Sequence, residues 1–300
     1  MTFAIVAANA DQVIQVSDRR LTGNASGTIV TDASGKAGHL LCDDASLLYC
    51  FTGLATIGTH STSKWLMDAF AGSAKQNPLW RELIEIFAET AGEYFETIPT
   101  IAALPASDRR LTVMLSGYES NGFIVNALIS NFQDFDNFID YAEALETFTV
   151  HAWKSETVAS ANPTLIQAIG AFRALTEKDE VELRQLLERR APAEAIRQKA
   201  SSIAQLISDR HRSAGTVGKR LNTARLDSSS PMFPCSGYIS DIVEEELSLI
   251  EQVDGRSYGL GLQIGAMQIT AGSPLVFPKV HRNAPCPCGS GKKFRFFHRT

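Results

Sequence analysis

Residues 1–23 read MTFAIVAANADQVIQVSDRRLTG, and the reading of this stretch decides the fold. Two apolar runs, Phe3 to Asn9 and Gln12 to Ser17, flank the polar step Ala10-Asp11. That is the pattern of two strands joined by a short turn. The second run ends in Asp18-Arg19-Arg20, so charges stand at the end of a hydrophobic strand, and Thr2 directly follows Met1. The stretch is either an edge hairpin or the nucleophile-bearing strand of an enzyme that works with its own N-terminus.

Outward from the hairpin, Ser46 to Phe51 reads as another strand, and FTGLATIG (51–58) as a glycine-punctuated turn into a helical stretch from Ser63 to Phe70. Pro78 starts a longer helix whose apolar positions Leu79, Leu83, Ile86, Phe87, Ala91 and Phe95 recur at three- and four-residue steps, and Pro99 and Pro105 end it. LTVMLSGY (111–118) and FIVNALIS (123–130) form a second hairpin, and ETFTVHAW (146–153) a further strand. Residues 163–213 read as helical throughout, with starts at Asn162-Pro163, at Thr176 with Asp179, and at Ala191-Pro192. A strand (LNTARL), a Ser/Pro loop at 228–234, a short helix around Asp241 to Ile250 and the hairpin RSYGLGLQIGAMQIT follow. The order of strands, helices, strands, helices and strands implies an α+β fold, a four-layer αββα sandwich with helices outside two packed sheets. Composition breaks after Phe277. The expected division is therefore a main domain at 2–277 and a separate tail at 278–300.

The composition, 44% hydrophobic and 20% charged, is that of a globular protein. A net charge of -5 argues against a whole-chain nucleic-acid binder. No apolar run reaches the length of a membrane span, and the N-terminus lacks the features of a secretory signal. Five cysteines without a regular framework fit a reducing cytoplasm, and Cys42 and Cys50 read as buried strand cysteines. His39, His60 and His151 show no metal-ligand spacing, and His211 reads as a surface or turn histidine.

The first sixty residues resemble the start of mature proteasome β subunits and their bacterial relatives in the N-terminal-nucleophile (Ntn) hydrolase superfamily. The matching features are Thr2, the hairpin, Asp18-Arg19-Arg20, a loop rich in Gly and Thr, Lys36, another strand, and Gly53 before a helix. The resemblance implies that Thr2 becomes residue one of the mature chain, and Asp18 follows it at the family offset of sixteen residues. Lys36 lies about two positions further on than in the family pattern. By order of elements the likeness extends over residues 2–270. It implies a threonine-type amide hydrolase acting on peptide bonds or other amides, and a homo-oligomer.

The chemistry suits those residue types. A threonine hydroxyl attacks a carbonyl only when a base takes its proton. An N-terminal amine, with an ordinary pKa of about 8, supplies that base at neutral pH. Removing Met1 would put amine and hydroxyl on one residue. Lys36 would favour the neutral amine and stabilise negative charge on oxygen, with Asp18 as its ion-pair partner. The Gly53 N–H, unshielded by a side chain, suits an oxyanion. The family further places an Asp and a Ser near the nucleophile, for which the candidates are Asp209 and Ser213 in SDRHRSAG. Their spacing is one residue longer than the pattern, and a turn role is their other reading. The sequence leaves open whether Ser116 and Ser155 neighbour the site. The rival to an enzyme is a non-catalytic scaffold or adaptor that keeps the fold and docks on a partner.

The segment APCPCGSGKKFRFFHRT (284–300) strongly resembles the SEC-C motif, a short zinc-binding tail. Cys286, Cys288, Gly289-Ser290-Gly291-Lys292-Lys293-Phe294 and His298 match, whereas Phe297 stands where a further cysteine is expected. The resemblance implies a zinc site built on Cys286, Cys288 and His298; His281, five residues before Cys286, is a candidate for the missing donor that no family pattern requires. It also implies contacts with other proteins, and Lys292, Lys293, Arg295 and Arg299 would add electrostatic attraction. A handful of charges supports only weak nucleic-acid binding.

Overall fold

The computed structural model describes residues 2–22, 29–31, 34–137, 139–155, 163–210 and 216–229, together with the backbone of two strands at 235–239 and 266–270. The opening stretch forms β1 (Phe3–Ala8) and β2 (Gln12–Asp18), antiparallel with Ala4 opposite Ser17 and Ala8 opposite Val13. Asn9 makes the turn. Its side-chain oxygen accepts from the N–H groups of Asp11 and Gln12 at 3.0 and 3.1 Å, closing an Asx-type loop.

Next come β3 (Ala37–Leu41), β4 (Ala45–Gly53), α1 (Thr62–Gln76), α2 (Trp80–Thr97), β5 (Leu111–Glu119), β6 (Ile124–Ser130) and β7 (Thr149–Lys154). The second half holds β8 (Leu165–Gly170), α3 (Glu177–Glu188), α4 (Ala193–Asp209), β9 (Leu221–Asp227), β10 (Cys235–Ile239) and β11 (Ala266–Thr270), with short ribbons and a one-turn helix at Pro99–Ala102 between the main elements. One sheet has the order β8-β1-β2-β9-β10 and is antiparallel throughout. The other has the order β7-β6-β5-β4-β3-β11, antiparallel except where β11 runs parallel to β3.

Side-chain alternation sorts the core into three clusters. Phe3, Ile5 and Ala7 of β1, with Ile14 and Val16 of β2, pack on Leu183, Leu187, Ile196, Ile203 and Ile207 of α3 and α4. Ala4, Val6 and Val13, on the opposite face, meet Leu48, Cys50, Met114 and Leu128 of the second sheet. Leu47, Tyr49, Phe51, Val113 and Val125 face Trp65, Phe70, Phe87 and Phe95 of α1 and α2. β1 is therefore covered on both faces, which is why it reads as an unbroken apolar run; each fully buried large side chain contributes about 1.5–3 kcal/mol.

The expected helix after Asn162-Pro163 is a strand. Leu165–Gly170 pairs antiparallel with β1, from Phe3 opposite Gly170 to Ala8 opposite Leu165, and only a 3-10 turn at Phe172–Ala174 follows. Its Leu, Gln and Ala favour helix locally, but the N–H and C=O groups along β1 offer a ladder that local propensity does not outweigh. The next helix starts as read, with a capping box between Thr176 and Asp179, and α4 begins just after Pro192. The proposed helix around 241–250, the first half of the last hairpin and the boundary at 277 lie outside the described residues. No helix among the described residues is long and apolar enough to cross a membrane.

Candidate active site

The ends of β1 and β2 and the start of β3 converge at one margin of the sheets. There the Lys36 ammonium donates to Thr2 Oγ1 at 2.7 Å and to the Arg20 carbonyl, and lies 3.6 Å from Asp18 Oδ1. Two of the ammonium's protons thus have hydrogen-bond acceptors in Thr2 and Arg20, and the aspartate supplies the counter-charge. Thr2 is 5% exposed, Asp18 fully buried and Lys36 1% exposed.

The Asp18 carboxylate is held from several sides. Oδ1 accepts from the Phe3 N–H at 2.9 Å, and Oδ2 from the N–H groups of Arg20 and Gly218, both at 3.1 Å. The Phe3 contact ties the aspartate to the peptide that follows Thr2, so one carboxylate positions both the lysine and the chain start. Thr2 is fixed from the other side by its carbonyl, which accepts from the Ala171 N–H at 2.9 Å. Gly170 permits that approach: its φ is +78°, and a Cβ there would lie 1.9 Å from the Thr2 carbonyl oxygen.

Gly53 ends β4 with φ +108°. Alternation sets the direction of its N–H. Leu54 N–H bonds to the Arg110 carbonyl at 2.8 Å on the β5 side, whereas Phe51 N–H bonds to the Lys36 carbonyl at 3.3 Å on the β3 side. Residue 53 shares the edge of residue 51, so its N–H faces the side of β4 on which Lys36 lies, beyond the last bond of the β3–β4 ladder. Thr52 marks how near this end of β4 comes to the chain start, since its Oγ1 lies 3.0 Å from the same Gly170 Cβ position that meets the Thr2 carbonyl.

The remaining sequence candidates make the following contacts or lie among residues not described. Asp209, the last residue of α4, pairs with Lys219 at 2.9 Å; both side chains are more than half exposed. Ser213, His211, Cys286, Cys288, Phe297 and His298 lie outside the described residues. Ser116 donates to Asn126 Oδ1 at 2.6 Å, and Ser155 Oγ accepts from the Ile124 N–H at 3.1 Å. Cys42 and Cys50 are free and buried, their thiols pushed up by burial. The backbone groups of Phe3, Arg20, Ala171 and Gly218 escaped sequence reasoning, because every residue carries such groups. Gly170, at the end of an apolar run, was the one visible signal.

Two cavities lie apart from Thr2. One, of about 520 Å³, runs along α2 beside Glu89, Glu93 and Phe148; the other, of about 450 Å³, lies among Phe135, His151, Gln167 and Arg173. Residues 23–28, 32–33 and 211–215, which flank the Thr2 margin in sequence, are not among those described.

Among solved structures, Anbu (ancestral beta-subunit) from Yersinia bercovieri matches 84% of this chain and 98% of its own at 14% identity, with a TM-score of 0.50. The chain shares the fold of a proteasome-like β subunit. The helical assembly of the Anbu complex from Pseudomonas aeruginosa is 14% identical over 82% of this chain and 90% of that one, with a TM-score of 0.44. For Anbu from Hyphomicrobium sp. strain MC1 the corresponding values are 11%, 81%, 89% and 0.45. No curated protein matches the chain by sequence.

Residues 282–295 match the SEC-C motif. The match contains Cys286 and Cys288 and stops short of Phe297 and His298. SEC-C motifs are associated with zinc, but a closed structural zinc site takes four protein donors. Here the motif positions supply two thiolates and one imidazole, with a phenyl ring in the remaining place. Those three positions alone leave one of four places open, for which His281 is the nearest further donor in sequence. Among the described residues no group of three or more His, Cys, Asp or Glu is arranged to hold a metal.

Proposed function

We propose that this protein is an amide-bond hydrolase, with peptides as the first substrate class to test, whose nucleophile is Thr2 after removal of Met1. The frame is a four-layer αββα sandwich over residues 2–277. One observation carries the reading: a buried ammonium 2.7 Å from the Thr2 hydroxyl oxygen, itself paired with a buried aspartate. The Lys36 ammonium donates to Oγ1, so the hydroxyl keeps its own proton to give away while the ammonium stabilises the alkoxide that results.

In the reaction, Oγ1 of Thr2 attacks the amide carbonyl and its proton passes to the free α-amine of the same residue. The carbonyl oxygen becomes an oxyanion, stabilised by the Gly53 N–H. Collapse breaks the C–N bond, and the α-ammonium returns the proton to the departing amine. An ester on Thr2 remains. The α-amine then takes a proton from water, whose oxygen attacks the ester; collapse frees the acid and restores the hydroxyl. Lys36 stays protonated throughout. Asp18 positions Lys36 and the Thr2–Phe3 peptide.

Asp209, at the end of α4 and paired with Lys219, would act by holding the segment that leads to Ser213 rather than by touching Thr2. A homo-oligomer is part of the proposal, by the fold shared with a β subunit. The motif match at 282–295 favours a second reading, in which the tail at 278–300 docks the protein on a partner as a non-catalytic adaptor.

Intact-mass measurement combined with a threonine-directed β-lactone separates these readings. An enzyme lacks Met1, gains one adduct that maps to Thr2, and gains none in Thr2→Ala or Lys36→Met. A retained Met1, or an unmodified Thr2 in folded protein, refutes catalysis.

A further inference from the structure

We propose that Thr62, backed by His60 and Tyr94, is a positioning device for the Gly53 amide. The inference rests on the reading of Thr2 as nucleophile and Gly53 as oxyanion donor, and it adds the residues that aim that donor. The Thr62 hydroxyl reaches the Leu54 carbonyl at 2.6 Å, and His60 Nε2 lies 3.0 Å from the same hydroxyl oxygen. On its other side, His60 Nδ1 lies 3.1 Å from the Tyr94 hydroxyl.

The proton directions follow from the acceptor at the end. A carbonyl only accepts, so the single hydroxyl proton of Thr62 goes to Leu54. Thr62 Oγ1 must then accept from His60, which places the imidazole proton on Nε2 and leaves Nδ1 to accept from Tyr94. Tyr94, His60, Thr62 and Leu54 thus form a chain of donors running one way from α2 to the turn after β4. Burial favours the neutral imidazole that this chain requires.

The chain acts at a place that needs restraint. Gly53 sits at φ +108°, and a Cβ there would lie 2.0 Å from the Arg110 carbonyl oxygen, so only glycine fits and its backbone freedom is unchecked by a side chain. Leu54 supplies the check. Its N–H is held by Arg110 at 2.8 Å, its C=O by Thr62, and its side chain is buried in the core. With both polar groups of Leu54 fixed, Gly53 is held and its N–H is aimed towards the Lys36 side of β4. The Thr62 hydroxyl is not used to cap a helix: it lies at the first residue of α1, and the N-cap Ser61 makes no side-chain capping bond. It serves the turn.

The test uses the full-length protein and the β-lactone probe, measuring the maximal rate of Thr2 acylation, the half-saturating probe concentration, and amide hydrogen exchange at 53–55. Thr62→Val should slow maximal acylation by roughly ten- to a hundredfold with half-saturation changed less than about twofold, because a misaimed donor weakens transition-state stabilisation rather than binding. Thr62→Ser, which restores the hydroxyl, should recover most of the rate. Exchange at 53–55 should rise roughly tenfold in the Val variant and stay unchanged in β1. His60→Phe, which leaves the hydroxyl but removes its donor, should fall between wild type and Val. Acylation of Thr62→Val at the wild-type rate, or failure of the Ser variant to recover, overturns the inference while the nucleophile reading stands. Absence of a Thr2 adduct in the wild type overturns that reading, and the positioning role with it.

Discussion

Lys36, just before β3, and His39, within it, lie three residues apart and are each 1% exposed, yet they treat charge in opposite ways. Lys36 keeps a cation buried, with Asp18, Thr2 and the Arg20 carbonyl around its ammonium. His39 has one polar contact, Nε2 with Ser46 Oγ at 2.8 Å, and its Nδ1 is buried without a hydrogen-bond partner. Burial pushes its pKa down to about 3, so the ring stays neutral at ordinary pH. Burial is equal in the two places; the partners differ. A charge persists where an opposite charge and acceptors are already in place, and is expelled where they are not.

The largest effect should come from unbalancing the charged side. Asp18→Ala leaves the Lys36 ammonium buried without its counter-charge and strips acceptors from the N–H groups of Phe3, Arg20 and Gly218. The expected loss is about 3–5 kcal/mol of folding stability, read from urea unfolding midpoints. A loss under about 1 kcal/mol would mean that the ion pair is not what holds this margin together.

The neutral side answers to pH. The folded pKa of His39 lies below its unfolded value of about 6.5, so the unfolded chain binds the extra proton first. The stability this provides is complete above about pH 6.5 and is lost as pH falls from there towards 3. Wild type should lose about 1.4 kcal/mol per pH unit more than His39→Gln in that window, measured as the difference between their unfolding curves. Parallel curves would contradict a neutral, buried ring.

The mildest effect should come from a helix cap that touches neither side chain. Thr176→Ala removes the cap of α3 and should cost about 1 kcal/mol, seen as a lower thermal midpoint, with Thr2 acylation unchanged. A change in acylation would mean that the packing of Leu183 and Leu187 against Phe3 transmits the loss of the cap to Thr2.

Much of the frame was legible because local signals agreed. The apolar runs of β1 and β2, the Asn9-to-Gln12 turn, the Thr176–Asp179 box and the prolines at 78, 99 and 192 each specify one structure. Leu165–Gly170 was misread because its residues satisfy a helix as readily as a strand, and only the exposed ladder of β1 chooses. The resemblance implies a place for Asp209 near the nucleophile; in the structure its side chain pairs with Lys219, the neighbour of the Gly218 whose N–H bonds to Asp18.

The sequence by itself determined which residue types were available: a hydroxyl at position 2, a carboxylate sixteen residues on, a lysine after a glycine-rich loop, and a cysteine-bearing tail with a phenylalanine in a ligand position. Only tertiary structure decided that Thr2, Asp18 and Lys36 meet, and that the Phe3, Gly218 and Ala171 amides hold them. The physical reason is that strand pairing brings together residues distant along the chain, and that the amides which fix their geometry are the same in every residue and leave no mark in a sequence.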